Sequence, residues 1–114
     1  MNSVKASPKI KRKIKPLLKK YHTLKESIEN LADELIQNPY AGESYGNNIY
    51  KIRLADKSKG RGKSGGFRVL YYLAIKQEET IAITLMTIFN KSEIDTINKK
   101  DADLILKQIL EELK

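Results

Sequence analysis

The spacing of apolar residues changes once along this chain, from a helical period to a strand period, and that change limits its possible folds. Between residues 10 and 35, apolar side chains recur at intervals of four and three, which is typical of one face of a helix. From residue 49 onward the period becomes two, which is typical of strands with one buried face. The chain therefore combines an N-terminal helical region with a β-sheet.

The helical region is predicted to form a pair of helices, over residues 8–21 and 24–37. Pro16 lacks a backbone donor, which disfavours one continuous helix. Thr23 followed by Glu26 has the pattern of a capping box, in which two side chains satisfy free backbone groups at a helix start. We expect the two helices to pack together through the apolar stripe.

Three strands are predicted after the helices, over Ile49–Leu54, Phe67–Ala74 and Thr80–Phe89, and residues 2–6 give a weaker signal for a first strand. A last helix fits residues 101–113. The short turn between the last two strands makes them antiparallel. The expected order, β-α-α-β-β-β-α, is an α+β fold with an N-terminal helical pair and a C-terminal helix on a small antiparallel sheet. The 114 residues suit a single domain over residues 1–114.

The amino-acid composition excludes several classes of functional site. The absence of cysteine excludes disulfides, thiolate zinc sites and a cysteine nucleophile, and a single histidine excludes zinc motifs built on paired histidines. No apolar run approaches the ~20 residues of a membrane span, and the first 15 residues are too charged for a signal-peptide core. We expect a cytoplasmic protein with no cofactor, metal or membrane partner.

Positive charge is concentrated in the first part of the chain. The net charge is +8, but residues 1–68 carry +10 and residues 69–114 carry −2. This asymmetry indicates a surface that faces a polyanion such as RNA, DNA or an acidic protein. A lysine-rich composition that serves solubility alone is the alternative.

The densest basic stretch is residues 51–68, which contain Lys51, Arg53, Lys57, Lys59, Arg61, Lys63 and Arg68. Strand alternation places Lys51 and Arg53 on one face of their strand, and Arg68 and Tyr72 on one face of the next. If those faces coincide, the cations form a cluster on a rigid sheet that suits a phosphate backbone. The alternative interpretation is that the glycine-rich segment between the strands is only a solvated hairpin tip. Gly62-Lys63-Ser64 matches the end of a P-loop, but it leads into a strand, so nucleotide binding is not expected.

The sequence of this hairpin resembles a known family. YKIRL at residues 50–54, GRGKSGGFRVLYY at residues 60–72 and IFNKSE at residues 88–93 resemble the RelE/ParE toxin superfamily, in particular its HigB-like branch. The paired helices and the Asn38-Pro39 stop also fit that branch. The resemblance covers about residues 3–113.

The resemblance implies a toxin of a type II toxin–antitoxin system that cuts messenger RNA on the ribosome without a metal. Such an enzyme uses the RNA 2′-hydroxyl as nucleophile, and it needs a base, an acid and cations that stabilise the phosphorane-like transition state. The implied partners are messenger RNA, ribosomal RNA and an antitoxin, which we expect to be acidic and to carry a DNA-binding helix-turn-helix.

Site residues follow from the resemblance by position. Lys51 and Arg53 match paired basic residues near the 2′-hydroxyl, and only the lysine can act as a base because arginine stays protonated. Arg68 matches an arginine that clamps the scissile phosphate, and Lys91 matches a basic residue that acts as acid or second clamp. The residues expected to hold flanking RNA are Lys57, Lys59, Arg61 and Lys63.

The chain departs from the family pattern at one position. Some RelE-type members carry a catalytic tyrosine one helical turn after the last strand, where this chain has Ile97. Either Tyr72, also assigned to RNA binding, substitutes for it, or the acid chemistry falls to a lysine. Two other functions stay open, a non-catalytic ParE-like gyrase poison and a basic RNA-binding module.

Overall fold

A computed structural model describes residues 2–57, 66–76 and 79–114. Lys59, Arg61 and Lys63 therefore lie outside the described residues. In chain order the elements are β1 (Ser3–Ala6), α1 (Pro8–Lys20), α2 (Leu24–Gln37), β2 (Glu43–Ser44), β3 (Ile49–Leu54), β4 (Phe67–Ile75), β5 (Ile81–Phe89), α3 (Lys91–Ile94) and α4 (Lys99–Glu112). The predicted α+β fold, with its helical pair and C-terminal helix on a sheet, is confirmed.

The five strands form one sheet in the order β1-β5-β4-β3-β2. The prediction of an antiparallel sheet is wrong at one edge, because β1 runs parallel to β5. The chain between β1 and β5 contains two helices and three strands, which supplies the long connection that a parallel neighbour requires. The other pairs are antiparallel, and β4 and β5 carry a register shift between Leu70 and Tyr71.

The starts of the two N-terminal helices differ from each other. Ser7 caps α1 as Ile10 N–H donates to its hydroxyl oxygen at 3.0 Å, and the same hydroxyl donates to the Met86 carbonyl at 2.7 Å. The capping box predicted at Thr23 is wrong, since the Thr23 side chain makes no cap bond. Its hydroxyl instead donates to the buried Asp56 carboxylate at 2.7 Å, which joins α2 to the end of β3.

The sheet has a hydrophobic core on each face. The helical pair covers the first face, where Leu31 and Leu35 pack with Val69 and Tyr71. Helix α4 covers the second face, where its buried residues pack against strand residues Ile49, Leu70, Met86 and Phe89. Strand β5 is buried on both faces, as its almost continuous apolar sequence predicts. The second face also carries the predicted site.

Candidate functional site

Strands β3, β4 and β5 place two arginines and a phenylalanine side by side on the second face. Arg53 is directly opposite Arg68, and Arg68 is directly opposite Phe89. Opposed residues of antiparallel strands project from the same face, with Cα atoms about 4.5–5.5 Å apart. We call these three residues the arginine row. The basic faces of β3 and β4 therefore coincide, which is the condition that the sequence analysis set for a cation cluster.

Two like charges opposite one another destabilise a sheet. Arg53 is exposed and Arg68 is partly buried, so both remain within reach of a ligand. Arg68 donates one hydrogen bond to the Phe67 carbonyl at 3.2 Å. The planar guanidinium groups can bind a phosphate through paired hydrogen bonds. A phosphate bound by both Arg53 and Arg68 would offset the like charges of these opposed residues.

Gly66 allows the chain to enter β4 close to the arginine row. Its φ is +88°, a left-handed conformation that side chains with a Cβ disfavour. A Cβ at this position would overlap the Leu54 carbonyl oxygen of β3. Glycine is thus required here by both conformation and space, which gives a physical reason for one glycine of the basic segment.

Lys51 lies on the same face as the arginine row, opposite Leu70. Its Nζ is 3.2 Å from Glu43 Oε2 and 5.5 Å from the centroid of the Tyr45 ring. Its side chain is about one-quarter exposed. The expected charge cluster thus includes a carboxylate from β2, a strand that the sequence did not predict.

Tyr45 was not recognised from the sequence, because it lies in an irregular segment between β2 and β3. Its hydroxyl donates to the Ile97 carbonyl at 3.3 Å. Tyr45 therefore lies against Ile97, the residue at which the sequence analysis noted the lack of a tyrosine. Tyr72 is on the same face as Arg68 but packs against the second core, opposite Ile49.

Lys91 begins the short helix α3, directly after β5, and it is exposed. Asn90 and Glu93 form a capping box at that helix start, with bonds of 2.9 Å and 3.1 Å. The capping box fixes the chain direction after Phe89. Lys91 therefore emerges beside the β5 end of the arginine row.

Lys13 of helix α1 is a second residue that the sequence analysis missed. Its Nζ lies 3.7 Å from the centroid of the Phe89 ring and 4.0 Å from Glu93 Oε2. Burial lowers the pKa of Lys13, Glu93 opposes that shift, and the like charge of Lys9 adds to it. No sequence signal distinguishes Lys13, because α1 has seven basic residues among thirteen.

Lys57 is exposed at the opposite end of the site, where it lines a cleft of about 500 Å³ between α2 and the end of β3. The Asp56 carboxylate accepts hydrogen bonds of 2.7 Å from both Thr23 and Ser27 on the cleft wall. Within the described ranges, no group of three or more histidine, aspartate or glutamate side chains could hold a metal ion.

Comparison with known proteins gives a structural relative. No family model matches the chain. The structure is similar to that of a double arginine-to-alanine mutant of the E. coli toxin RelE in the free state, with a TM-score of 0.51. Sequence identity is 16%, and the similarity covers 98% of this chain and 97% of RelE. The chain has a RelE-like fold.

The RelE-like fold extends over nearly the whole chain, so every described residue of the site belongs to it. The roles inferred for Lys51, Arg53, Arg68, Lys91, Lys57 and Tyr72 stay predictions. None of the helices among the described residues is both long enough and apolar enough to cross a membrane.

Proposed function

We propose that this protein is the toxin of a type II toxin–antitoxin system and a HigB-like endonuclease that cuts messenger RNA on the ribosome. The observation that carries the proposal is the direct opposition of Arg53 and Arg68 on the second face of a RelE-like fold. Two arginines at directly opposed positions of adjacent strands would together bind one phosphate. The preorganised positive charge would stabilise the extra negative charge that develops on that phosphate in the transition state.

The proposed reaction is attack of the RNA 2′-oxygen on the adjacent phosphorus. Arg53 and Arg68 hold the phosphate, and Lys51 is the base that takes the 2′-hydroxyl proton. Glu43, 3.2 Å from Lys51, holds this amine in place before RNA binds. Lys91 serves as a second clamp, or as the acid for the 5′-oxygen that leaves. The reaction needs no metal or cofactor, and its products are a 2′,3′-cyclic phosphate and a 5′-hydroxyl.

The remaining cations would bind RNA on either side of the cut. Lys57, exposed beside Arg53 at the end of β3, would contact the flanking backbone. The same role is proposed for Lys59, Arg61 and Lys63, and Tyr72 would contact RNA from the face that it shares with Arg68. Because the charge of the first 68 residues is +10, ribosomal RNA is a fitting partner.

The proposed partner in the resting state is an acidic antitoxin with a DNA-binding helix-turn-helix, which would cover the cationic face. The proposed location is the cytoplasm, where translating ribosomes are found. Opposite charges would make association of toxin and antitoxin rapid and sensitive to salt.

The purified chain should be mixed with ribosomes carrying a messenger RNA of known sequence. We expect cleavage within the A-site codon, and the downstream fragment should accept a radioactive phosphate from polynucleotide kinase without prior phosphatase treatment. A downstream fragment that already carries a 5′-phosphate would contradict the proposed chemistry. Intact messenger RNA, combined with inhibition of gyrase supercoiling, would instead support the ParE-like alternative.

A further inference from the structure

Helix α1 brings Lys13 to the β5 end of the arginine row. Its Nζ lies 3.7 Å from the centroid of the Phe89 ring, and Phe89 is the cross-strand neighbour of Arg68. The hydrogen bond from Ser7 to the Met86 carbonyl fixes the start of α1 on β5. The amine therefore has a defined place over Phe89, the cross-strand neighbour of Arg68.

The surroundings of Lys13 suit a group that gives up a proton. Its side chain is about one-third exposed, and the aromatic ring covers part of the rest. Burial lowers its pKa, and Lys9 lowers it further, while Glu93 at 4.0 Å acts in the opposite sense. A proton donor is more efficient when its pKa lies closer to the working pH.

The other described groups near the site are less suited to this task. Arginine side chains do not act as proton donors in proteins, so Arg53 and Arg68 keep the role of binding the phosphate. Lys51 is already assigned as the base, and the Tyr45 hydroxyl already donates a hydrogen bond to the Ile97 carbonyl. Lys13 is a cation with no carboxylate closer than 4.0 Å among the described residues.

Building on the proposed function, we propose that Lys13 is the proton donor to the leaving 5′-oxygen of the RNA. The 2′-oxygen forms its bond to phosphorus as the bond from phosphorus to the 5′-oxygen breaks. The proton of the 2′-hydroxyl passes to the Lys51 amine, and a proton of the Lys13 ammonium passes to the departing oxygen. Lys13 then regains a proton from solvent, and Lys91 has the role of second clamp.

The test uses the full chain with programmed ribosomes and two messenger RNAs. One has the natural 5′-oxygen at the cut, and the other has a 5′-bridging sulfur, which leaves without needing a proton. For Lys13→Met we expect cleavage of the oxygen substrate to fall by ~100-fold. Cleavage of the sulfur substrate should stay within a few-fold of the unmutated rate. Lys11→Met, which makes the same change at an exposed position of α1, should cleave both substrates normally.

Lys13→Arg separates proton transfer from charge, and it covers the case in which Lys13→Met does not fold. Arginine keeps the positive charge over Phe89 but does not release its proton. We expect the same loss on oxygen and the same recovery on sulfur. Normal cleavage of oxygen by either variant, or an equal loss on both substrates, would overturn the proposal. If the unmutated chain cleaves neither messenger RNA, the proposed function itself fails.

Discussion

The two faces of the β3–β4 hairpin differ in how their side chains are held. On the first face, Tyr50 stacks on Tyr71 at 5.5 Å between ring centroids, and the Tyr71 hydroxyl bonds to Pro39 and Gly42 at 2.8 and 2.9 Å. On the second face, Arg53 and Arg68 oppose each other with like charges. The Tyr71 contacts stabilise the fold, while like charges on opposed strand residues are unfavourable. Tyr71 and Arg68 should therefore respond oppositely to mutation.

Loss of Arg68 should have the largest effect, and that effect should be on activity. Arg68→Ala removes a fixed phosphate donor, and the loss of one such transition-state donor costs ~2.7–4 kcal/mol, or ~100–1000-fold in rate. The melting temperature should not fall, because the repulsion with Arg53 is also removed. Single-turnover cleavage on programmed ribosomes and thermal melting would measure the two effects.

Arg68→Lys is the matched control, since lysine keeps the charge without the paired donors. We expect it to recover only part of the lost rate. If Arg68→Ala cleaves at the unmutated rate, the second face of the hairpin is not the active site.

The sequence predicted which basic residues lie on the second face, but it did not predict the residues that contact them from other segments. Alternation is a local property, so it assigned Lys51, Arg53 and Arg68 to their faces without knowledge of the fold. The register that pairs Arg53 with Arg68 could not be derived, because a slip of one residue would reverse one face. The contacts of Lys13 with Phe89 and of Lys51 with Glu43 join distant segments. Only the packing of α1 on β5 and of β2 on β3 brings those segments together.

The dependence on contacts between distant segments also explains the errors in the predicted fold. The motif of Thr23 and Glu26 is a local capping pattern, but the buried Asp56 carboxylate competes for the Thr23 hydroxyl. A buried carboxylate needs hydrogen-bond donors more than a helix start needs a side-chain cap. The direction of β1 depends on where two whole helices return the chain, which no pattern within residues 2–6 records.

Loss of the Tyr71 hydroxyl should have the opposite consequence to loss of Arg68. Tyr71→Phe leaves the Pro39 carbonyl and the Gly42 N–H without this partner, at a cost of about 1–3 kcal/mol in the free energy of unfolding. Chemical denaturation should detect this loss, while cleavage at temperatures well below the melting point should be unchanged. A stable variant with reduced cleavage would show that the two faces are not independent.

The pH dependence of the stability difference between the unmutated chain and Tyr71→Phe provides a second check. Burial raises the pKa of Tyr71, the Gly42 N–H opposes that shift, and Tyr50 and Glu34 add to it. A group whose pKa is higher in the folded state loses its contribution to stability as the pH rises past its unfolded value, ~10 for tyrosine. The stability advantage of the unmutated chain over Tyr71→Phe should therefore be constant below about pH 10 and shrink above it. A constant difference up to pH 11 would contradict this expectation.

A comparison of two glycine variants tests whether activity of the arginine row requires the backbone conformation and close strand packing at Gly66. Gly66→Ala and Gly46→Ala both place alanine at a positive φ, which costs ~1–2 kcal/mol. Only at Gly66 would the new Cβ overlap another strand, whereas Gly46 has open space around it. We expect Gly66→Ala to lose more stability and also to cleave more slowly, because Arg68 is two residues away. Equal losses in both variants would mean that β3 moves aside freely.

The smallest effect is expected for Lys63, a proposed RNA-binding residue outside the arginine row. Lys63→Ala removes one cation that would contact RNA away from the cut, and salt screens such a contact over about 10 Å at 0.1 M ionic strength. Apparent affinity for programmed ribosomes should fall by at most a few-fold, the loss should shrink at higher salt, and the rate at saturation should not change. Measurement of single-turnover cleavage against ribosome concentration at two salt levels separates affinity from rate. If Lys63→Ala does not cleave while Arg68→Ala cleaves at the unmutated rate, the catalytic residues belong to the glycine-rich segment and not to the second face of the sheet.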